Sequence, residues 1–260
     1  MKKIMSAVIF LSVSVVIPLF CTVVYLTFAD SHAANSEDHR HDGEVVVLLH
    51  GVGHSKFNML PISISLKKQG YQTHNISYPS TKQDIPALSQ WLNANLEEHM
   101  IWGSYEKIHF VTHSMGGIVT GRYLEDYKDQ LPQKKIGRVV MLGVPNGGSE
   151  VADLLKNFWG YKLLFGPAGQ QLTTEHRAKN GIKPWYDLGV IAGTRNSLYP
   201  IGDAIIKPEN DGRVSVPSTK VTDMKGHIEL GVQHGFMAWS DAVNAQILAF
   251  LQTGQFQEID

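Results

Sequence analysis

An apolar run that ends in a serine and two glycines sets the strongest limit on how this chain folds. Residues 110–117 read Phe-Val-Thr-His-Ser-Met-Gly-Gly, a strand pattern that passes through a serine into a helix pattern. A sharp turn of this kind exposes the serine hydroxyl, and the residues two before and two after it must be small because strand and helix pack closely. Gly116 meets that requirement, whereas Thr112 stands where glycine is usual. The run predicts a nucleophile elbow at Ser114; the alternative is a glycine-rich helix start with a bystander serine.

Short apolar runs alternate with amphipathic stretches from Glu44 onward, which is typical of a parallel sheet covered by helices. Strands are predicted at five places: 45–49, 71–78, 108–111, 139–142 and 189–192. Apolar residues at helical spacing predict helices over 85–96 and 243–251. We therefore expect one α/β domain over residues 44–260, with a mostly parallel sheet flanked by helices.

The alternation breaks between residues 146 and 187. Apolar and aromatic side chains crowd together there, from Leu154 to Phe165. This stretch predicts a small cap inserted into the domain. A plain core helix followed by a loop is the alternative, because periodicity does not separate the two.

A serine that attacks an acyl group needs two backbone N–H donors for the oxyanion, one of them from the loop after the first strand. The sequence Leu-His-Gly-Val-Gly occupies residues 49–53, and its glycines allow a close approach to a substrate. The oxyanion hole is therefore predicted at the N–H groups of Val52 and Met115. His50 is interpreted as a residue that shapes this loop rather than as a base.

Serine, acid and histidine follow one another in that order along chains of this type. Asp211 lies in an Asn-Asp-Gly turn signal after the strand predicted at 189–192, which makes it the candidate acid. Asp203 is the runner-up, and a turn-forming aspartate without a catalytic role is the alternative. His234 is the candidate base because glycines near it indicate a loop before the last helix; its competitor is His227.

The first 29 residues predict a membrane segment. Two lysines precede an uncharged run from Ile4 to Ala29, which as a helix is about 39 Å long and crosses a hydrocarbon core of about 30 Å. We expect residues 1–29 to be an uncleaved signal anchor; a peptide cleaved after Ser31-His32-Ala33 is the alternative. Residues 30–43 are expected to be a polar linker.

The lysines favour a cytoplasmic N-terminus, which places the rest of the chain outside the cytoplasm. The expected location is therefore the periplasm or the cell surface, with the protein secreted if the leader is cleaved. Three histidines lie in the linker, where metal binding is the alternative, but short polar linkers of this kind are usually only solvated.

Charge and cysteine count exclude several classes of function. Lys and Arg number 23 against 24 Asp and Glu, so no basic field exists to hold nucleic acid. The one cysteine, Cys21, cannot form an intrachain disulfide or a zinc site that needs two cysteine ligands. Acyl transfer through a serine, a histidine and an acid requires no metal and no organic cofactor, so we expect neither.

Five blocks in one order resemble the α/β-hydrolase family, and in particular compact bacterial lipase- and esterase-like members. They cover residues 44 to about 252 and are Val-Leu-Leu-His-Gly (47–51), residues 111–117, Val-Met-Leu-Gly-Val-Pro-Asn-Gly-Gly-Ser (140–149), Asn-Asp-Gly-Arg-Val-Ser-Val (210–216) and Gln-His-Gly-Phe-Met (233–237).

The resemblance implies a triad of Ser114, Asp211 and His234, an oxyanion hole at Val52 and Met115, and hydrolysis of carboxylic esters. The apolar 154–165 stretch and the anchor favour lipids or other hydrophobic esters. An acyltransferase, a thioesterase or amidase with the same triad, and a non-catalytic binding protein with this fold are the alternatives.

Overall fold

The computed structural model describes residues 41–196, 205–207 and 209–258. A single sheet of six parallel strands runs through this part of the chain, in the order β2-β1-β3-β4-β5-β6. The strands are β1 (Glu44–Leu49), β2 (Gln72–Ile76), β3 (Lys107–His113), β4 (Ile136–Leu142), β5 (Leu188–Gly193) and β6 (Gly226–Leu230). The α-helices of the described residues are α1 (Leu60–Lys68), α2 (Ile85–Glu98), α3 (Ile101–Ser104), α4 (Met115–Asp126), α5 (Glu150–Leu155), α6 (Trp159–Gln170), α7 (Thr174–Lys179), α8 (Val216–Thr219) and α9 (Asp241–Thr253).

The five strands expected from the sequence are present, and β6 is an addition. The central strands are buried on both faces, so they read as continuous apolar runs such as Val45 to Leu49. β6 lies at one edge of the sheet and carries His227 and Glu229, which hid it from a search for apolar runs. The prediction of a mostly parallel sheet flanked by helices is confirmed.

Helices cover both faces of the sheet and divide the apolar core into two clusters. One cluster packs α2 and α4 against one face, and the other packs α1 and α9 against the opposite face. Local signals fix the helix ends. Asp84 caps α2 by accepting from the N–H of Ala87 at 2.9 Å, and α9 ends at Gly254, whose φ of 76° is left-handed.

The chain between β4 and β5 carries α5, α6 and α7, in the stretch that the sequence marks as different. α6 is kinked where Gly166, with φ of 60°, precedes Pro167. A side chain at Gly166 would overlap the carbonyl of Thr81, so glycine is required for this close approach. Four large apolar side chains of α5 and α6 are exposed: Leu154, Trp159, Leu163 and Leu164.

The predicted membrane anchor at 1–29 and the first part of the predicted linker lie outside the described residues. Within the described ranges, no helix has the length and apolar character needed to span a bilayer. His41, at the end of the predicted linker, stacks on the ring of Tyr71 with 3.8 Å between centroids.

Candidate active site

Ser114 stands at the turn between β3 and α4. Its backbone has φ of 54° and ψ of −125°, a strained conformation for a residue with a side chain. The small residue that the sequence pattern requires two positions after the serine is Gly116. A Cβ on Gly116 would lie 2.7 Å from the carbonyl oxygens of both Leu49 and His50. Glycine therefore allows α4 to approach β1 and hold the serine in the sharp turn.

Asp211 and His234 form a buried, hydrogen-bonded pair. His234 Nδ1 lies 2.7 Å from Asp211 Oδ2, and the two side chains are 2% and 0% exposed, respectively. The other carboxylate oxygen of Asp211 accepts from the N–H groups of Arg213 at 3.0 Å and Val214 at 2.9 Å. A carboxylate oxygen can only accept a hydrogen bond, so this contact selects the tautomer of a neutral imidazole in which Nδ1 carries the proton and Nε2 the lone pair.

The main chain joins the same two residues a second time. The N–H of His234 donates to the carbonyl of Asp211 at 3.0 Å, and Asp211 N–H donates to the carbonyl of Val214 at 3.2 Å. The acid and the base are therefore positioned by one folded unit rather than by a single side-chain contact.

Ser114 and His234 line the same cavity, together with Val52. Among the described residues, no hydrogen bond joins the Ser114 hydroxyl to His234. Hydrogen bonds between a nucleophile and its base are often long without substrate and shorten when substrate binds. The cavity volume is about 60 Å³. Its remaining lining is mostly apolar: Pro145, Ser149, Val151, Ala152, Leu155, Tyr161, Phe165, Leu172, Arg213 and Val214.

The two predicted oxyanion donors flank the serine. Met115 is the first residue of α4, and Val52 is buried in the loop after β1. Neither N–H donates to an acceptor elsewhere in the described ranges. The loop is held in place by the N–H of Gly53, which donates to Ser80 Oγ at 3.1 Å, and by Tyr78 Oη, which donates to the His50 carbonyl at 2.8 Å. Both amides remain available to a ligand.

Burial keeps three other histidines around the site, His50, His54 and His113, neutral near pH 7. Burial lowers the pKa of His50 to about 4 and that of His54 to about 3, and burial also holds the pKa of His113 well below 6.5. His113 Nε2 donates to the carbonyl of His234 at 2.9 Å, so the residue beside the serine supports the backbone of the candidate base. His50 Nδ1 donates to its neighbour's carbonyl, Gly51 O, at 2.7 Å, which agrees with a loop-shaping residue.

Two other residues beside the candidate site had no clear sequence signal. Gly143, just after β4, has φ of 54°, and a Cβ there would lie 3.0 Å from both Asp211 Oδ2 and His234 Nδ1. Arg213 brings a cation to the cavity two residues after Asp211.

No group of three or more His, Cys, Asp or Glu side chains within the described ranges converges in a way that could hold a metal ion.

The competing candidates are placed differently. His227 lies on β6 and its Nε2 is 2.9 Å from Thr219 Oγ1, away from the cavity that contains Ser114. Asp203 lies outside the described residues. The structure thus brings together Asp211 and His234 as a pair, and places Ser114 beside them.

No protein-family model matches the sequence, and no curated protein matches it. Solved structures do match the backbone. A lipase from Bacillus licheniformis in its mature form has a TM-score of 0.67 at 20% identity, over 85% of this chain and 96% of the lipase chain. The chain has the α/β-hydrolase fold.

Two other solved structures match with lower TM-scores. Phospholipase PlaB from Legionella pneumophila has a TM-score of 0.62 at 15% identity, over 82% of this chain and 60% of that one. A metagenomic carboxyl esterase has a TM-score of 0.55 at 18% identity, over 74% and 64% of the two chains. In the α/β-hydrolase fold the reactive groups lie on loops at the carboxyl ends of the strands. Ser114 follows β3, Asp211 follows β5 and His234 follows β6 in this arrangement.

Proposed function

We propose that the protein is a serine hydrolase of carboxylic esters that acts through Ser114, His234 and Asp211. The observation that carries the proposal is the buried Asp211–His234 pair beside a serine on a strained strand-to-helix turn. An aspartate that only forms a turn needs no buried hydrogen bond to a histidine. A serine without a role needs no strained backbone. The α/β-hydrolase fold of esterases and lipases supports the same chemistry.

In the proposed reaction, Ser114 Oγ attacks the acyl carbonyl while His234 Nε2 takes its proton. The carbonyl oxygen becomes an oxyanion that accepts from the N–H groups of Val52 and Met115; one such donor is worth about 2.7–4 kcal/mol in the transition state. Asp211 fixes the imidazole tautomer and stabilises the imidazolium.

Collapse of the tetrahedral intermediate breaks the ester bond, and His234 returns the proton to the leaving alcohol. The acyl group stays on Ser114 as an ester. Water then attacks this acyl-enzyme with His234 again as base, which releases the carboxylic acid and restores the serine.

We propose a lipid or another hydrophobic ester as substrate. The cavity beside Ser114 is lined mostly by apolar side chains, and its 60 Å³ is small against the 300–1,000 Å³ of typical ligand pockets. A large ester therefore needs movement of the α5–α6 segment, which supplies Leu155, Tyr161 and Phe165 to the lining and acts in this proposal as a cap. The exposed apolar side chains of that segment suit contact with a lipid surface.

Membrane attachment and location belong to the same proposal. An anchor at residues 1–29 would hold the catalytic domain near the outer face of a bilayer, in the periplasm or at the cell surface. Local lipid concentration is high at that place, which favours a hydrophobic substrate.

The decisive experiment is hydrolysis of p-nitrophenyl esters from acetate to palmitate by the full chain in mild detergent. Ser114→Ala and His234→Ala are expected to abolish turnover, and His227→Ala is the matched control that should retain it. Activity that survives in Ser114→Ala would refute the mechanism. An unreactive parent protein would favour the non-catalytic binding protein. Products that carry the acyl group on an added alcohol or amine would favour an acyltransferase.

The substrate class has its own test. Trp159→Ser and Leu163→Ser should lower the rate on emulsified long-chain esters while leaving soluble butyrate esters unaffected. Met100→Ser is the control, because Met100 is 68% exposed but lies on a different part of the fold, before α3. Equal effects of all three substitutions on the long-chain rate would contradict a role for the α5–α6 surface.

A further inference from the structure

A second cavity of about 320 Å³ lies between the start of α2, the outer face of α4 and the end of α7. It shares no lining residue with the cavity beside Ser114. Buried isoleucines form its apolar side: Ile85, Ile118 and Ile182. Its volume lies in the range of small-molecule sites.

Arg177 of α7 brings a charge to this cavity that no carboxylate of the described residues neutralises. The residue is 4% exposed, and no carboxylate among the described residues lies within salt-bridge distance of it. Its Nε donates a long bond of 3.4 Å to the carbonyl of Asn146, and its Nη2 has no acceptor within the described ranges. Burial lowers its pKa to about 10, which still leaves it charged near pH 7.

A buried cation without a counterion is costly for a fold, because its desolvation is not compensated by a partner. Arginines in such positions are normally paired with carboxylates or phosphates, whose oxygens match the guanidinium fork. Because Arg177 has no carboxylate partner in the part of the chain that the structure describes, its burial points to an anion from outside the chain.

The other charges around the cavity also favour an anion. Arg122, Lys179 and Lys183 line it together with Arg177, against the carboxylates of Glu125 and Asp126. Asp126 is already engaged, since Arg122 Nε lies 2.6 Å from one of its oxygens and Ser89 Oγ donates to the other at 2.8 Å. Lys179 has an exposed, loose ion pair with Glu175 at 3.7 Å. Cations thus exceed carboxylates around the cavity.

We propose that this cavity is a binding site for a small anion, in which Arg177 holds the oxygens of a carboxylate or phosphate group. The isoleucines pack against whatever apolar portion the ligand carries. The site lies apart from Ser114, so the proposal does not depend on the chemistry at that residue.

The experiment is calorimetric titration of the full chain with inorganic phosphate and, separately, with octanoate, at constant ionic strength maintained with sodium chloride. Saturable binding of at least one of them is expected. Tighter phosphate binding would identify a phosphate site, and tighter octanoate binding a carboxylate site with an apolar tail. Arg177→Gln should weaken the tighter ligand by about tenfold or more, as expected for loss of a charge-assisted hydrogen bond.

Arg213→Gln is the matched control, because it removes a guanidinium from the Ser114 cavity instead. Binding should persist in this variant. Binding that persists in Arg177→Gln, or that is lost in Arg213→Gln, would overturn the proposal, as would a parent protein that binds neither anion. If Arg177→Gln does not fold, Lys183→Gln on the exposed rim decides: affinity about two- to fivefold weaker supports the site, and unchanged affinity refutes it.

Discussion

Replacing Gly143 by alanine should damage the acid–base pair far more than it damages the fold. At φ of 54°, alanine adopts a left-handed backbone at a cost of about 1–2 kcal/mol. The added Cβ would lie 3.0 Å from both Asp211 Oδ2 and His234 Nδ1, so the pair must shift by a few tenths of an ångström. Misplacement by about 1 Å costs on the order of 100-fold in rate, so a shift of a few tenths of an ångström should lower kcat for ester hydrolysis by about 3- to 10-fold.

Gly43→Ala separates the two effects. Gly43 has φ of 84° and lies far along the chain from the site; the three atoms nearest to its added Cβ all belong to Glu106, the first at an ordinary contact distance of 3.5 Å. Both variants should therefore lose about 1–2 kcal/mol of unfolding free energy, a fall of roughly 2–8 °C in Tm for a domain of this size. Only Gly143→Ala should lose turnover of p-nitrophenyl esters. Equal kcat in the two variants at matched stability would refute the positioning argument.

Three other perturbations have defined outcomes. His113→Phe keeps a ring beside His234 but leaves the His234 carbonyl without its donor, so stability should fall by about 1–3 kcal/mol and kcat by about tenfold with KM nearly constant; a change confined to KM would contradict this. Because His50 titrates at about 6.5 when unfolded and about 4 when folded, the unfolded state binds more protons below pH 6.5. Between pH 7 and pH 5 this difference should lower the unfolding free energy of the parent by about 2 kcal/mol more than that of His50→Gln, as measured by urea unfolding of both proteins. Thr112→Val removes a fully buried hydroxyl that has no partner within the described ranges and should raise stability by about 1 kcal/mol in the same assay, whereas a lower value would show that the hydroxyl is satisfied.

The sequence predicts much of this fold because the central strands are buried on both faces and are flanked by glycines and turn signals. The same signals mark the loops that hold Ser114, Asp211 and His234. β6 escaped prediction because an edge strand needs only partial burial, and its His and Glu side chains interrupt the apolar run.

Other features depend on contacts between distant parts of the chain. His113 reaches the His234 carbonyl across 121 residues, and Gly143 approaches Asp211 and His234 only after β4 and β5 pair. The burial of Arg177 depends on how α7 packs over the carbonyl of Asn146. No local pattern reports such contacts, since each residue type is ordinary in its own segment.

The double connection between Asp211 and His234 affects how this region opens in solution. The side-chain bond, the bond from His234 N–H to the Asp211 carbonyl and the His113 bond tie three segments together: the end of β3, the loop that carries Asp211 and the loop that carries His234. If one of these segments moves away, buried hydrogen-bonding groups of the others lose their partners, so partial opening is unfavourable. In native-state hydrogen exchange, the amides of Val214 and His234 should therefore exchange with one shared opening free energy, as a single cooperative unit.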